Sequence, residues 1–163
     1  MANQINWGEI YCFSDWGDEV NKKSVPEFPA TCNPIVENGV CNTTYQWDDV
    51  EPVFPEVFNV SIPQAGASFL DFNAYSRPTK YIVSQSGVTL LDTGFRANGI
   101  YDWQGQLDDY LAERGLQPET ITQPSSGVIT FNIPTSSAIS VQVFAPLEKS
   151  GLSGWNFRLG CPV

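Results

Sequence analysis

The stretch GVITFNI at residues 127–133, followed after PTSS by AISVQVF at 138–144, decides the fold class. In the first run Val128, Thr130 and Asn132 alternate with Ile129, Phe131 and Ile133. In the second, Ile139, Val141 and Val143 alternate with Ser140, Gln142 and Phe144. A period of two marks a strand with one face in a core, because successive side chains leave the backbone on opposite sides. The same reading extends to EVFNVSI (56–62), ASFLDFNAY (67–75) and GWNFRLG (154–160), where Trp155, Phe157 and Leu159 oppose Asn156 and Arg158. TKYIVSQSGVTLLDTG (79–94) reads as a hairpin turning at Gln85-Ser86-Gly87. Many short strands with frequent turn signals predict an all-β antiparallel sandwich, jelly-roll or Ig-like, and not alternating βαβ units.

One segment departs from that period. In YDWQGQLDDYLAERGLQPET (101–120) Leu107, Tyr110 and Leu111 fall on one helical face. Asp102 is the candidate N-cap, Gly115 can take the left-handed position after the last turn, and Pro118 stops continuation. Asp108 and Asp109 lie early in the segment, where the helix dipole favours negative charge. The spacing predicts one short helix near 103–114, covering an open end or face of the sandwich. From Asn21 to Pro55 the chain carries Pro26, Pro29, Pro34, Pro52 and Pro55, which predicts irregular, extended backbone. The expected organisation is one domain over 1–163, with 1–55 as an extended arm or wrapping segment; 163 residues suffice for a core without metal.

Charge and residue types limit the chemistry. Eight Lys and Arg against 18 Asp and Glu give a net charge of −10, and only Lys22 and Lys23 are adjacent cations. Such a surface repels phosphate backbones and anionic membranes, so no nucleic acid and no membrane partner is expected. The chain has no histidine, which removes Ser-His-Asp, Cys-His and His-containing zinc sites. The opening MANQINWGEIYCF has no basic start or apolar core of a signal peptide, and no run of about 18 apolar residues could span a membrane. The expectation is synthesis in a cytoplasm without export. The sequons Asn42-Thr43-Thr44 and Asn59-Val60-Ser61 are then coincidental.

What remains is carboxylates, cysteines and aromatics. Asp15, Asp18 and Glu19, then Asp48, Asp49 and Glu51, then Asp102, Asp108 and Asp109 cluster beside Trp16, Trp47 and Trp103. A two-carboxylate hydrolase with an aromatic platform can be imagined there, but acidic clusters in an acidic chain are ordinarily solvated surface. SDWGDE also lacks the spacing of an EF-hand loop. No catalytic residue, metal ligand or cofactor is therefore expected. Cys12, Cys32, Cys41 and Cys161 contain no C-x-x-C pair and allow three disulfide connectivities. A turn at Asn38-Gly39 would bring Cys32 to Cys41 and leave Cys12 for Cys161; buried free thiols in a reducing cytosol are the other reading. Exposed Trp7, Trp16, Trp47 and Trp103 are the candidate interface or ligand aromatics, whereas Phe58, Phe131, Trp155 and Phe157 fall at core-facing positions.

The two ends carry a resemblance. INWGEIYCFSDWGD (5–18), of the form I-x-W-G-x-I-Y-C followed by a second W-G, resembles the opening of small virion proteins of tailed bacteriophages. VFAPLEKSGLSGWNFRLGCPV (143–163) resembles the closing strand of the same kind of protein, and together the ends cover about 35 of 163 residues. The resemblance implies a structural virion component of the neck, tail or fibre, acting in several copies by protein–protein assembly and not as an enzyme. Its partners would be other virion proteins and copies of itself, and its location the virion. The alternative from the aromatics is a carbohydrate- or host-receptor-binding sandwich, with a glycan as partner.

Overall fold

A computed structural model describes residues 36–47, 55–99, 103–147 and 154–163, with side-chain surroundings from residue 38 onward. The strands are β1 (Val36–Val40), β2 (Thr44–Gln46), β3 (Glu56–Ser61), β4 (Gly66–Asn73), β5 (Thr79–Gln85), β6 (Val88–Arg96), β7 (Ser126–Ile133), β8 (Ile139–Phe144) and β9 (Asn156–Leu159). A single helix among the described residues, α1, spans Gln104–Glu113. Sheet A has the order β1-β3-β8-β5-β6 and sheet B the order β2-β9-β4-β7. The chain is an all-β sandwich with one short helix, as the alternation predicts.

The core lies where the inner faces meet. Phe58 from β3 and Tyr81 from β5 approach Phe157 of β9 edge-on, with ring centroids 5.1 and 6.1 Å apart. Tyr45 of β2 stacks on Phe157 at 5.2 Å, and Phe72 of β4 lies 5.4 Å from Tyr81. Buried aromatic pairs in these tilted and edge-to-face geometries each add about 0.5–1.5 kcal/mol beyond area burial. The Tyr81 hydroxyl donates toward Asn73 O and Asn156 O, at 3.0 and 3.1 Å, so its polar tip is satisfied between the sheets.

β5 is buried on both faces, which its mixed composition conceals. Tyr81 and Val83 face sheet B, while Lys80 and Ile82 on the opposite face are also buried. The second cover comes from α1, whose Leu107, Tyr110 and Leu111 join the same apolar cluster, and from the segment after it. Gln104 ties that segment back: its amide donates to Glu119 O at 2.9 Å and accepts from Ile121 N at 2.8 Å. Gly115, at φ +67°, takes the left-handed position expected of it, and Leu116 N returns to Leu111 O. Trp103 stands at the N-cap without a side-chain cap; the predicted cap, Asp102, lies outside the described residues. The β5–β6 hairpin turns as predicted, at Ser86 and Gly87 with φ of 51° and 78°.

Three expectations are corrected. First, the pairing is not antiparallel throughout: β1 runs parallel to β3, with Val36 opposite Val57 and Val40 opposite Ser61. The chain leaves β1 for β2 in sheet B before β3 begins, so no hairpin forces β1 and β3 to run in opposite directions. Second, Asn38-Gly39 is not a turn but the middle of β1. The Tyr45 hydroxyl lies against Gly39 where a Cβ would stand, accepting from Val40 N at 2.9 Å and donating to Val40 O at 3.1 Å. The turn comes at Cys41-Asn42, with Asn42 at φ 64°. Third, the disulfide is Cys41–Cys161, with Cα atoms 5.0 Å apart and 120 residues between them in sequence. The strand conformation of 36–40 removes the turn that would have paired Cys41 with Cys32; Cys12 and Cys32 lie outside the described residues. Of the predicted arm 1–55, residues 36–40 and 44–46 supply one strand to each sheet.

The disulfide reinforces a dense junction. Asn42 N donates to Leu159 O at 2.7 Å, Trp47 N to Trp155 O at 3.0 Å, and Cys161 N to the Asn42 side chain at 3.2 Å. Beyond β9 the chain runs along the start of β4, where Ser68 Oγ donates to Gly160 O at 2.6 Å. A cross-link closing a loop this long restricts the unfolded chain strongly. The double variant Cys41→Ser/Cys161→Ser is expected to lose about 3–5 kcal/mol, lowering Tm by about 10 °C. Scanning calorimetry against the oxidised parent measures it.

Candidate interaction surface

Sheet B exposes its second face. Because β4 and β9 alternate, Leu70, Phe72, Phe157 and Leu159 point inward and are buried, and Phe69, Asp71, Asn73, Asn156 and Arg158 point outward. Asp71 and Arg158 are direct cross-strand partners, and the guanidinium donates to Asp71 Oδ2 at 3.2 Å. Arg158 also lies 5.1 Å from the Phe69 ring centroid, and that ring occupies the space where a side chain at Gly160 would stand. At one end of this face Asn156 donates to the Tyr75 hydroxyl at 2.8 Å, and Asn73 accepts from Tyr75 N at 2.8 Å. The face thus holds one ion pair, one half-buried ring and a set of neutral amides and hydroxyls.

The border of the sheet at β7 has a distinct character. β7 pairs with β4 from Gly66↔Ile133 to Asn73↔Ser126 with no bulge, and Ala74 N donates to Ser125 O at 2.8 Å. Hydrogen-bonded and open positions alternate along an antiparallel ladder. Ser125, Gly127, Ile129, Phe131 and Ile133 therefore bond to β4, leaving the N–H and C=O groups of Ser126, Val128, Thr130 and Asn132 directed at the free edge. Val128 is 62% exposed there. No Asp, Glu, Lys or Arg occurs between Glu119 and Glu148, so the strand and the chain on either side of it are uncharged in a chain of net charge −10, while Asp71 of β4, paired with Arg158, stands opposite Val128.

The other sheet edges are blunted. β6 carries a register shift opposite Lys80 and Ile82, Gly94 at φ 63° and an exposed Asp92, and Thr122 bridges to it at Arg96. β2 is three residues long, and β1 is five. Short strands, bulges and charges are the devices that keep sheet edges from pairing with other chains. β7 has none of them.

Of the aromatics singled out in the sequence, the two among the described residues are each half-buried. Trp7 and Trp16 lie outside the described residues. Trp47 is half-buried, packed on the core and against Gly154. Trp103 is half-buried with the Arg77 guanidinium 5.1 Å from its ring centroid, and Arg77 itself donates to Leu147 O. Of the acidic residues, Asp15, Asp18, Glu19, Asp48, Asp49, Glu51 and Asp102 lie outside the described residues, Asp108 accepts from Gln104 at 2.8 Å, and Asp109 is exposed. Among the described residues no three His, Cys, Asp or Glu gather as metal ligands, and no helix is long and apolar enough to cross a membrane. Asn42 of the first sequon is engaged in the turn by accepting from Cys161 N, while Asn59 of the second is exposed on β3.

Sequence reasoning missed the most deeply buried cation among the described residues. The Lys80 side chain is 4% exposed, with Nζ 2.9 and 3.0 Å from the two Glu119 carboxylate oxygens and 3.6 Å from Asp92. It also lies 5.5 Å from the Phe95 ring centroid. Its only signal was a lysine inside the strand-like run TKYIV. Nearby, burial pushes the Tyr110 phenol well above its usual range, and the charge of Arg114, seated 3.6 Å from the ring centroid, opposes that shift. These groups pin α1 and its following segment to sheet A and are remote from the open side of sheet B in the sheet order.

No protein-family model and no curated protein matches the sequence. Solved structures do match, two of them over most of their own length. The pre-peptidase C-terminal domain of collagenase from Bacillus anthracis aligns with a TM-score of 0.48 and 8% identity, covering 78% of this chain and 96% of that one. CorA, a surface-associated copper-binding protein of Methylomicrobium album BG8, aligns with a TM-score of 0.48 and 10% identity, covering 78% of this chain and 98% of its own.

The Lys80–Glu119 and Arg158–Asp71 pairs differ in weight. Lys80→Ala leaves Glu119 facing an apolar layer, and a loss of about 2–4 kcal/mol is expected. Asp71→Asn breaks a pair whose side chains are 44% and 41% exposed, and should cost under about 1 kcal/mol. Urea unfolding of both variants tests the contrast.

Proposed function

We propose that the chain is a structural component of a bacteriophage virion, a neck, tail, fibre or decoration protein that works by protein–protein assembly and not by turnover. The observation that carries this reading is the border of sheet B: eight residues of regular, uncharged strand whose outer backbone groups pair with no other described strand. A long edge of this kind is a template for another strand, and natural chains that do not use such an edge disrupt it. Backbone pairing of this type recurs where extended segments add to sheets in assembled structures.

Two further features support it. The C-terminal stretch that resembles phage virion proteins supplies β9, held between β2 and β4 and clamped by the disulfide. Disulfides persist on virion and cell surfaces and are rare in reducing cytosol, so the bond suits an exterior location reached after synthesis in the host cytoplasm. The net charge of −10 also favours an exterior position over one lining the genome. The chain then partners other virion proteins and copies of itself, and needs neither nucleic acid, membrane nor cofactor.

A second reading, a carbohydrate- or host-receptor-binding module, is favoured by one arrangement. Phe69 lies on the open face beside the Asp71–Arg158 pair, with the Asn156 amide and the Tyr75 hydroxyl on the same sheet. A ring bordered by amides and a carboxylate is chemistry that suits a sugar. A glycan array separates the readings: saturable binding that disappears in Phe69→Ala would favour the module, and assembly predicts none.

Deleting residues 1–20, which carry the resembling opening, is expected to abolish incorporation into particles while the remaining chain still melts cooperatively. Mass spectrometry of purified particles measures occupancy. Normal occupancy of the truncated chain would overturn the proposed docking route.

A further inference from the structure

The partner that fits the β7 edge is a second copy of this chain. We infer that two copies join antiparallel through β7, merging two four-stranded B sheets into one of eight strands. The inference rests on the assembly reading and specifies what the edge binds.

Three observations lead to it. The outward backbone groups belong to Ser126, Val128, Thr130 and Asn132, all at even positions. An antiparallel partner must set an even residue against an even residue to use them. A two-fold axis at Ile129 engages all four at once, placing Ser126 opposite the partner's Asn132 and Val128 opposite the partner's Thr130. Each of the four narrow pairs exchanges two N–H···O bonds.

The side chains on that register are also self-complementary. The Val128 methyls meet a threonine methyl, and the Ser126 hydroxyl meets an amide; such cross-strand pairs contribute about 0.2–1 kcal/mol each. An isologous contact needs this property, since the same strip must serve both partners.

Charge supplies the third argument. Two chains of net charge −10 repel wherever carboxylates meet. The 28 residues between Glu119 and Glu148 contain no ionisable Asp, Glu, Lys or Arg, and β7 lies within them. β6, by contrast, carries an exposed Asp92. A different, cationic partner would be recognised by acidic side chains, and β7 offers none. Neutral self-pairing is what this edge is suited to.

The test uses the full chain with its disulfide intact, and reads solution mass by light scattering across a micromolar-to-millimolar series. The parent is expected to reach twice the monomer mass. Val128→Lys and Thr130→Lys place two cations together across the axis and should halve that mass. Gln46→Lys on the β2 edge should leave it unchanged. Thermal melting confirms that each variant is folded, and Thr130→Lys serves if Val128→Lys is not. Hydrogen exchange should show the amides of residues 126, 128, 130 and 132 protected in the dimer and open in the folded monomeric variants. A parent that stays monomeric at every concentration overturns the inference, as does a dimer whose mass the folded β7 variants retain. Protection of those four amides in a monomer overturns it too, since the chain would then be covering its own edge. Particle occupancy, measured separately, tells the two proposals apart. If β7 variants are lost from particles while the isolated parent is monomeric, self-pairing fails and assembly stands.

Discussion

β9 is four residues long, and sheet B is built around it. It lies between β2 and β4, puts Phe157 among Tyr45, Phe58, Tyr81 and Trp155, and is followed directly by the cysteine that closes the disulfide. Without it β2 has no neighbour in its sheet, and β4 pairs only with β7. An isolated two-stranded ribbon is marginal in water. So a short segment far along the chain turns two fragments into a sheet, and burial of its aromatic side chain joins that sheet to the other.

Sheet A meets a different demand. Its strand β5 is covered on one side by sheet B and on the other by α1 with the segment after it. That arrangement buries Lys80, whose charge is answered by Glu119 and Asp92. A buried cation with two carboxylates contributes specificity of placement more than net stability, because desolvation offsets much of the attraction. Here it fixes where the segment after α1 lies against β5. The consequence for the open side is indirect: with α1 committed to sheet A, nothing from that segment is left to cover the outer face of sheet B or the β7 border.

How far the sequence reveals this depends on the range of each interaction. The alternations at 56–62, 127–133, 138–144 and 154–160, the Ser86-Gly87 turn and the Leu107-Tyr110-Leu111 face all became elements, because each is set by neighbours within a few residues. Asn38-Gly39 misleads because its usual turn preference is overridden by Tyr45, whose hydroxyl fills the space beside the glycine and bonds to Val40. The disulfide and the parallel β1–β3 pair depend on which strands become neighbours, and local pattern does not carry that information. Lys80 carries no local signal of burial, because the carboxylate that receives it, Glu119, lies 39 residues further along the chain. The interaction surface is the extreme case: GVITFNI reads plainly as a strand, but only the sheet order shows that it stands at an edge.

The place of β9 also has a meaning in time. Every strand of sheet A lies at or before Phe144, so β3, β8, β5 and β6 can pair before β9 is in place. β4 and β7 can form their ribbon then too, but β2 waits for residues 156–159. During that interval one edge of β4 lacks its neighbour, and the apolar side chains of both sheets are incompletely covered. Chains exposing unpaired strands in this way are prone to associate with one another before folding is complete. Arg158 and Asp71, which pair only on completion, put charge on the surface that is last to close.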